Sequence, residues 1–116
     1  MIQSNSVRVG NLVSVNGSDY FSYINEIYKG SAVISRGNKE SILVAFCYLY
    51  GVPLTVDMIG DLQSGFMIKI EEPESDKLLL FLQLGKYDVL INYVHELQNL
   101  YYAIYKKELD VSKILK

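Results

Sequence analysis

Near the end of the chain, apolar side chains recur at steps of four and three residues. The recurring residues are Leu90, Val94, Leu97, Tyr101 and Ile104. This spacing places them on one side of an α-helix, which then needs a core to pack against. The sequence therefore predicts a long C-terminal helix with one buried face. Asn92 is the expected N-cap, and the helix is expected to continue to about Lys107.

The length and composition indicate one globular domain over residues 1–116. Half of the residues are apolar and 21% are charged, which is typical of a chain that folds around a core. The net charge of −2 argues against electrostatic binding of a polyanion by the molecule as a whole. A single cysteine excludes an internal disulfide and favours a reducing compartment. Because the start lacks the pattern of a secretory signal, we expect a cytoplasmic protein.

The first half of the chain alternates strand-forming segments with turn residues. Residues 7–15 are rich in valine, and Asn16-Gly17 is a strong hairpin signal because both residues tolerate a positive φ. Residues 20–29 and 32–35 continue this pattern as strands. We expect an antiparallel meander of the SH3-like β-barrel kind.

The apolar run at residues 42–50 leaves two structures open. A run of this length is either a strand buried on both faces or a buried helix, and a strand is the favoured alternative. Cys47 lies in this run between apolar neighbours, so we expect it to be buried.

The second half predicts a short helix, a second meander and a docked tail. Thr55 is the expected cap of a helix through Leu62. Residues 66–70, 78–84 and 87–91 are expected to form strands, with an acidic turn at residues 71–76 between the first two. Apolar residues of the segment 109–116 are expected to dock, either on their own chain or on a second copy. The predicted fold class is α+β.

Few residues are suited to catalysis or metal binding. His95 is the only histidine, and no nucleophile lies at a telling spacing from it, so a structural role is favoured. Asp57 and Asp61 have the spacing to share a cation, but solvated helix acids explain them better. We therefore expect no catalytic residues, no metal site and no cofactor.

The predicted binding surface lies on the final helix. Tyr102 and Tyr105 fall outside the apolar stripe and are next to Lys106 and Lys107. An exposed cluster of aromatic and basic side chains serves as a protein hot spot or as a base-stacking surface. The candidate binding residues on this helix are His95, Gln98, Tyr102, Tyr105, Lys106 and Lys107.

Several sequence segments resemble a family of small phage and prophage proteins. The segments are Arg8-Val9-Gly10-Asn11-Leu12-Val13, Asn16-Gly17, Gly51-Val52-Pro53-Leu54-Thr55, Gly65-Phe66 and residues 93–103 with the sequence YVHELQNLYYA. Their order and spacing match the family over nearly the whole chain. The chain departs from the family at Val56-Asp57-Met58, where relatives have acidic residues and a tryptophan. It departs again at Tyr105-Lys106, where relatives have a Thr-Gly stop.

This resemblance implies a protein of a mobile element that acts by binding in the cytoplasm of the host bacterial cell. Small proteins of this origin include anti-CRISPR proteins, and the chain is similar to an inhibitor of a type VI RNA-guided ribonuclease. The implied partner is a CRISPR effector nuclease, with or without its guide RNA. The alternatives are a nucleic-acid-binding module that uses Lys106, Lys107, Lys113 and Lys116, a phage structural or assembly protein, and an enzyme. A homodimer is also left open.

Overall fold

The structure, a computed structural model, describes residues 7–17, 21–36, 40–55, 57–58, 67–74, 77–84 and 86–114. These residues form an α+β fold with two antiparallel sheets and a C-terminal helix, which confirms the predicted class. The elements are β1 (Leu12–Val15), β2 (Phe21–Tyr28), β3 (Ser31–Ser35), β4 (Ile42–Ala45), a 3-10 helix (Phe46–Tyr48), β5 (Leu49–Gly51), β6 (Met67–Glu74), β7 (Lys77–Leu84), β8 (Tyr87–Ile91) and α1 (Val94–Tyr105).

The first sheet is a meander whose fifth strand returns to the first. Its strand order is β4-β3-β2-β1-β5, and all its pairs are antiparallel. Asn16 and Gly17 have φ values of 55° and 70°, so both adopt the left-handed conformation that the hairpin prediction required. The described strands do not close into a barrel, because β4 and β5 form the two edges of the sheet.

The apolar run at residues 42–50 is neither one strand nor one helix. It forms β4, the 3-10 helix and the start of β5, because the chain must turn to bring Leu49 opposite Val15 of β1. Ile42 and Leu43 are exposed, so β4 is not buried on both faces as predicted. The prediction that Cys47 is buried is also wrong: its neighbour Phe46 fills the core, and Cys47 lies on the outside of the turn.

The second sheet confirms the predicted second meander, with the order β6-β7-β8. The predicted acidic turn is shorter than expected, because β6 continues to Glu74 and pairs there with Lys77. The register shifts between Glu71 and Glu74, and this irregularity lets strand pairing continue through the acidic residues. Phe66 lies outside the described residues.

Two groups of buried side chains meet at β1. The first core consists of Val13, Ile24, Ala32, Ile34, Phe46 and Leu49. The second core combines residues of β1, β7, β8, α1, the segment after β5 and the tail: Leu12, Val52, Leu54, Leu80, Leu82, Ile91, Val94, Leu97, Tyr101, Leu109, Val111 and Ile114. Leu12 and Val13 are both fully buried but face different cores, because successive side chains of a strand point to opposite faces.

Backbone hydrogen bonds connect the segment after β5 to the start of α1. Leu54 N donates to Asn92 O at 3.0 Å, and Val94 N donates to Val52 O at 2.8 Å. These bonds place the beginning of the helix beside the end of the first sheet.

The helix begins one residue later than predicted. Tyr93 is the N-cap, and the carboxylate of Glu96 accepts hydrogen bonds from the backbone N–H of Asn92 and of Tyr93, each at 2.9 Å. Glu96 therefore supplies the acidic half of a capping box, and Asn92 does not cap the helix. At the other end, Lys106 adopts a left-handed conformation with φ 61°, so the helix stops at Tyr105 rather than at Lys107.

The apolar stripe is shorter than the sequence spacing suggests. Val94, Leu97 and Tyr101 are buried as predicted. Leu90 belongs to β8, and both Leu90 and Ile104 are more than two-fifths exposed. The stripe therefore covers only the first two turns of α1, where the sheets and the tail lie against it.

The tail packs on its own chain, which confirms that it docks. Leu109, Val111 and Ile114 belong to the second core. Of the predicted short helix, Asp57 and Met58 are helical, and Thr55 Oγ1 accepts a hydrogen bond from Met58 N at 3.4 Å. Its remaining residues, including Asp61, lie outside the described residues. Across the described part of the chain, every helix is too short or too polar to cross a membrane.

Candidate functional site

The structure divides the six candidate binding residues into two groups. Tyr102, Tyr105, Lys106 and Lys107 are exposed at the C-terminal end of α1, and we call them the helix-end surface. His95 and Gln98 lie in the first half of the helix and are 4% and 1% exposed. Only the first group is accessible to a partner in this conformation.

Gln98 joins α1 to the residues that lead into β1. Its Oε1 accepts a hydrogen bond from Leu12 N at 2.8 Å, and its Nε2 donates to Gly10 O at 3.1 Å. Beside it, Asn11 Nδ2 donates to Asn99 Oδ1 at 2.7 Å. The buried amide thus satisfies backbone groups that would otherwise be unpaired inside the protein.

His95 is enclosed by aromatic and backbone atoms. Its ring stacks on Tyr93 with a centroid separation of 5.7 Å and an interplanar angle of 16°. Burial lowers the pKa of His95, and the nearby Glu96 carboxylate only partly opposes this effect. Its Nδ1 has no hydrogen-bond partner among the described residues. The histidine is therefore a neutral, packed side chain at physiological pH.

Arg8 supports the helix-end surface from beneath, a role that sequence reasoning missed. Its guanidinium donates to both carboxylate oxygens of Glu108, at 2.5 and 3.1 Å, and to Gln98 O at 3.2 Å. The same guanidinium lies 4.5 Å from the ring centroid of Tyr102, in cation–π contact. No local sequence signal could indicate this cluster, because Arg8 and Glu108 are 100 residues apart.

Tyr105 is anchored from the core side of the helix. Its ring lies 4.7 Å from the ring of the buried Tyr101, at an angle of 48°. The two exposed tyrosines therefore project from supported positions, and the two lysines follow them directly. Such a surface can offer aromatic contact area and positive charge to a macromolecule.

A groove of about 540 Å³ opens next to this surface. It is lined by Val9, Gly10, Tyr23, Gln98, Glu108, Leu109, Asp110 and Val111. Burial, together with the charge of Asp110, raises the pKa of the Tyr23 hydroxyl. Hydrogen bonds from Ser112 lower the pKa of the exposed Asp110 carboxyl. The groove thus combines apolar lining residues with a neutral hydroxyl and the acidic side chains of Glu108 and Asp110.

No protein-family model, curated protein or solved structure matches this chain.

Within the described ranges, no group of three or more His, Cys, Asp or Glu residues is placed to hold a metal ion. Asp57 is exposed, and its predicted partner Asp61 lies outside those ranges.

Proposed function

We propose that this chain is a non-enzymatic protein of a phage or prophage that binds and inhibits a host defence complex. The proposed target is an RNA-guided nuclease of a CRISPR system, alone or with its guide RNA, and the proposed site of action is the host cytoplasm. The observation that supports this function best is the helix-end surface, in which the Arg8–Glu108 ion pair supports Tyr102.

The composition and support of this surface suit a protein contact. Tyrosine is enriched at the residues that dominate binding energy, and lysine adds attraction to acidic or nucleic-acid surfaces. Because Arg8 and Tyr101 hold the rings of Tyr102 and Tyr105, less side-chain entropy is lost when a partner binds. The choice of an inhibitor among the possible binding proteins follows the sequence-based prediction that the chain is of the small phage protein kind, and it is part of the proposal.

The direct test is a nuclease assay with a purified type VI effector, its guide RNA and this protein. We expect the protein to co-purify with the effector complex and to suppress RNA cleavage at near-stoichiometric amounts. The double substitution Tyr102→Ser with Lys107→Glu removes aromatic area and reverses one charge. It is expected to weaken inhibition at least about tenfold.

Tyr87→Ser is the matched control for this experiment. Tyr87 is 65% exposed on β8, so its loss removes an exposed tyrosine without touching the helix-end surface. Equal inhibition by the double variant and the control would reject this surface as the contact. A lack of effect on every RNA-guided nuclease of the same host would reject the proposed function.

The adjacency of exposed tyrosines and lysines also supports a second candidate function, binding of RNA or DNA. In that case the lysines would contact phosphates while the rings of Tyr102 and Tyr105 stack on bases. Lys113 is exposed as well, and Lys116 lies outside the described residues. A gel-shift series decides between the functions, since phosphate contacts make affinity fall steeply as salt rises. Binding that is absent or insensitive to salt would eliminate this alternative.

We further propose that the five-stranded sheet is of the SH3-like barrel kind. Its strand order, with a four-strand meander and a fifth strand beside β1, supports this assignment. The 3-10 helix between β4 and β5 supports it too, because it connects the two edge strands of this sheet. An experimental structure in which the sheet is flat would contradict the assignment.

A further inference from the structure

β4 is an apolar strand at the edge of the first sheet. It pairs with β3 on one side, and no other described strand pairs with it. Ile42 is 47% exposed and Leu43 is 65% exposed. Natural edge strands are usually protected by lysine, proline or a bulge. The sequence from Ser41 to Ala45 contains neither lysine nor proline, and its pairing with β3 is regular.

The register identifies the backbone groups that point away from the sheet. Phe46 N donates to Gly30 O at 3.0 Å, and Val44 lies opposite Ala32. Because bonded positions alternate along an antiparallel pair, Ile42, Val44 and Phe46 direct their backbone groups toward β3. The N–H and C=O of Leu43 and Ala45 therefore point toward the free edge, where they can pair with another strand.

We propose that β4 of a second copy of this chain pairs with this edge, antiparallel and about a two-fold axis at Leu43. In this register Leu43 of one protomer lies opposite Leu43 of its partner. Ile42 lies opposite Val44, and Ser41 lies opposite Ala45. The dimer has one continuous sheet of ten strands, five from each protomer.

Charge and symmetry select a second copy as the occupant. A two-fold contact requires a self-complementary surface, and this register places apolar or small side chains opposite each other at every position from 41 to 45. Glu40, the acidic residue that precedes β4, lies at opposite ends of the two paired strands. The contact therefore places no like charges opposite each other, an arrangement that would destabilise the antiparallel pair.

Leu43→Pro tests this pairing with little effect on the protomer. Proline removes an N–H that points to the free edge, so no hydrogen bond to β3 is lost, and edge strands tolerate it. We expect the unmodified full chain to sediment as a dimer in equilibrium ultracentrifugation. We expect Leu43→Pro to raise the dissociation constant at least about tenfold, with an unchanged far-UV circular dichroism spectrum.

Leu43→Lys serves as a second variant, because it keeps the backbone N–H and places like charges opposite each other across the two-fold axis. It is also expected to dissociate the dimer, whereas Tyr87→Ser, at an equally exposed residue, is expected to leave it intact. The proposal is overturned if the unmodified chain is a monomer. This includes the case in which only another protein pairs with β4. A dimer that survives both Leu43 substitutions overturns it as well.

Discussion

At Gly51 the backbone of β5 passes directly beneath two aromatic rings. A Cβ atom at this position would lie 2.7 Å from Cγ and Cδ1 of Tyr93 and 3.0 Å from Cε1 of His95. Real Cβ contacts are not this short, so a side chain here forces the rings or the strand to move. The requirement for glycine comes from this close approach and not from a turn, since the φ of Gly51 is not positive.

Gly51→Ala is therefore expected to lower the free energy of unfolding by about 1–3 kcal/mol, the usual cost of overpacking. Urea denaturation followed by circular dichroism measures this loss. In a Tyr93→Ala background, the same substitution should cost much less, because the obstructing ring is gone. Equal losses in both backgrounds would show that the close approach to Tyr93 is not the cause.

His95 gives the stability of the protein a pH dependence with a defined sign. Burial holds its folded-state pKa below the ordinary value of 6.5, so the unfolded chain binds a proton more readily. The contribution of His95 to the free energy of unfolding is therefore fully present above pH 6.5 and is lost as the pH falls toward the folded-state pKa. His95→Gln is expected to reduce the change in unfolding free energy between about pH 7.5 and 5.5. An unchanged difference would assign the pH dependence to other groups.

Among the elements, α1 is held to the first sheet by Gln98, while the Arg8–Glu108 pair joins the segment before β1 to the segment after α1. The two links differ in burial. Gln98 is 1% exposed and pairs with two backbone groups, whereas the side chains of Arg8 and Glu108 are 29% and 50% exposed. Solvent screens the exposed ion pair, so its contribution is small despite its bidentate geometry.

Gln98→Ala is expected to cost about 2–5 kcal/mol, because it leaves Leu12 N and Gly10 O without partners inside the protein. Glu108→Gln is the comparison, with an expected loss of about 1 kcal/mol or less. Chemical denaturation of the two variants under identical conditions gives both values. A Glu108→Gln loss that equals the Gln98→Ala loss would contradict this ranking of the links.

At the scale of the whole molecule, the two cores share one strand. Leu12 faces the second core and Val13 faces the first, and both are fully buried on β1. The tail adds Leu109, Val111 and Ile114 to the second core, so the tail and Leu12 of β1 stabilise each other. Loss of either core removes the support of β1 and with it the other core.

We therefore expect a single cooperative unfolding transition. Leu97→Ala in the second core should cost about 2–5 kcal/mol and shift the transition as a whole. Tyrosine fluorescence and far-UV circular dichroism, recorded during the same urea titration, should give coincident midpoints for the unmodified chain and the variant. Separate midpoints, or a shift seen by only one probe, would show that the cores unfold independently.

Much of the local structure could be predicted because its signals lie within a few residues. Asn16-Gly17 marks a turn by the φ values that both residues accept, and residues 94–101 mark a helix by their spacing. The run at residues 42–50 could not be resolved in this way. Its apolar pattern favours a strand but is also compatible with a helix, and the pairing of Leu49 with Val15 explains the turn at Phe46.

The candidate surface was predicted in part. The sequence alone determined that Tyr102, Tyr105, Lys106 and Lys107 are neighbours at the end of a helix. Residues that are adjacent in sequence, or three or four positions apart, lie close together on a helix. Only the tertiary structure decided that His95 and Gln98 are buried and that Arg8 and Glu108 support Tyr102. These contacts join residues about 90 to 100 positions apart. The packing of the sheets, the helix and the tail determines these contacts, and no local sequence pattern indicates them.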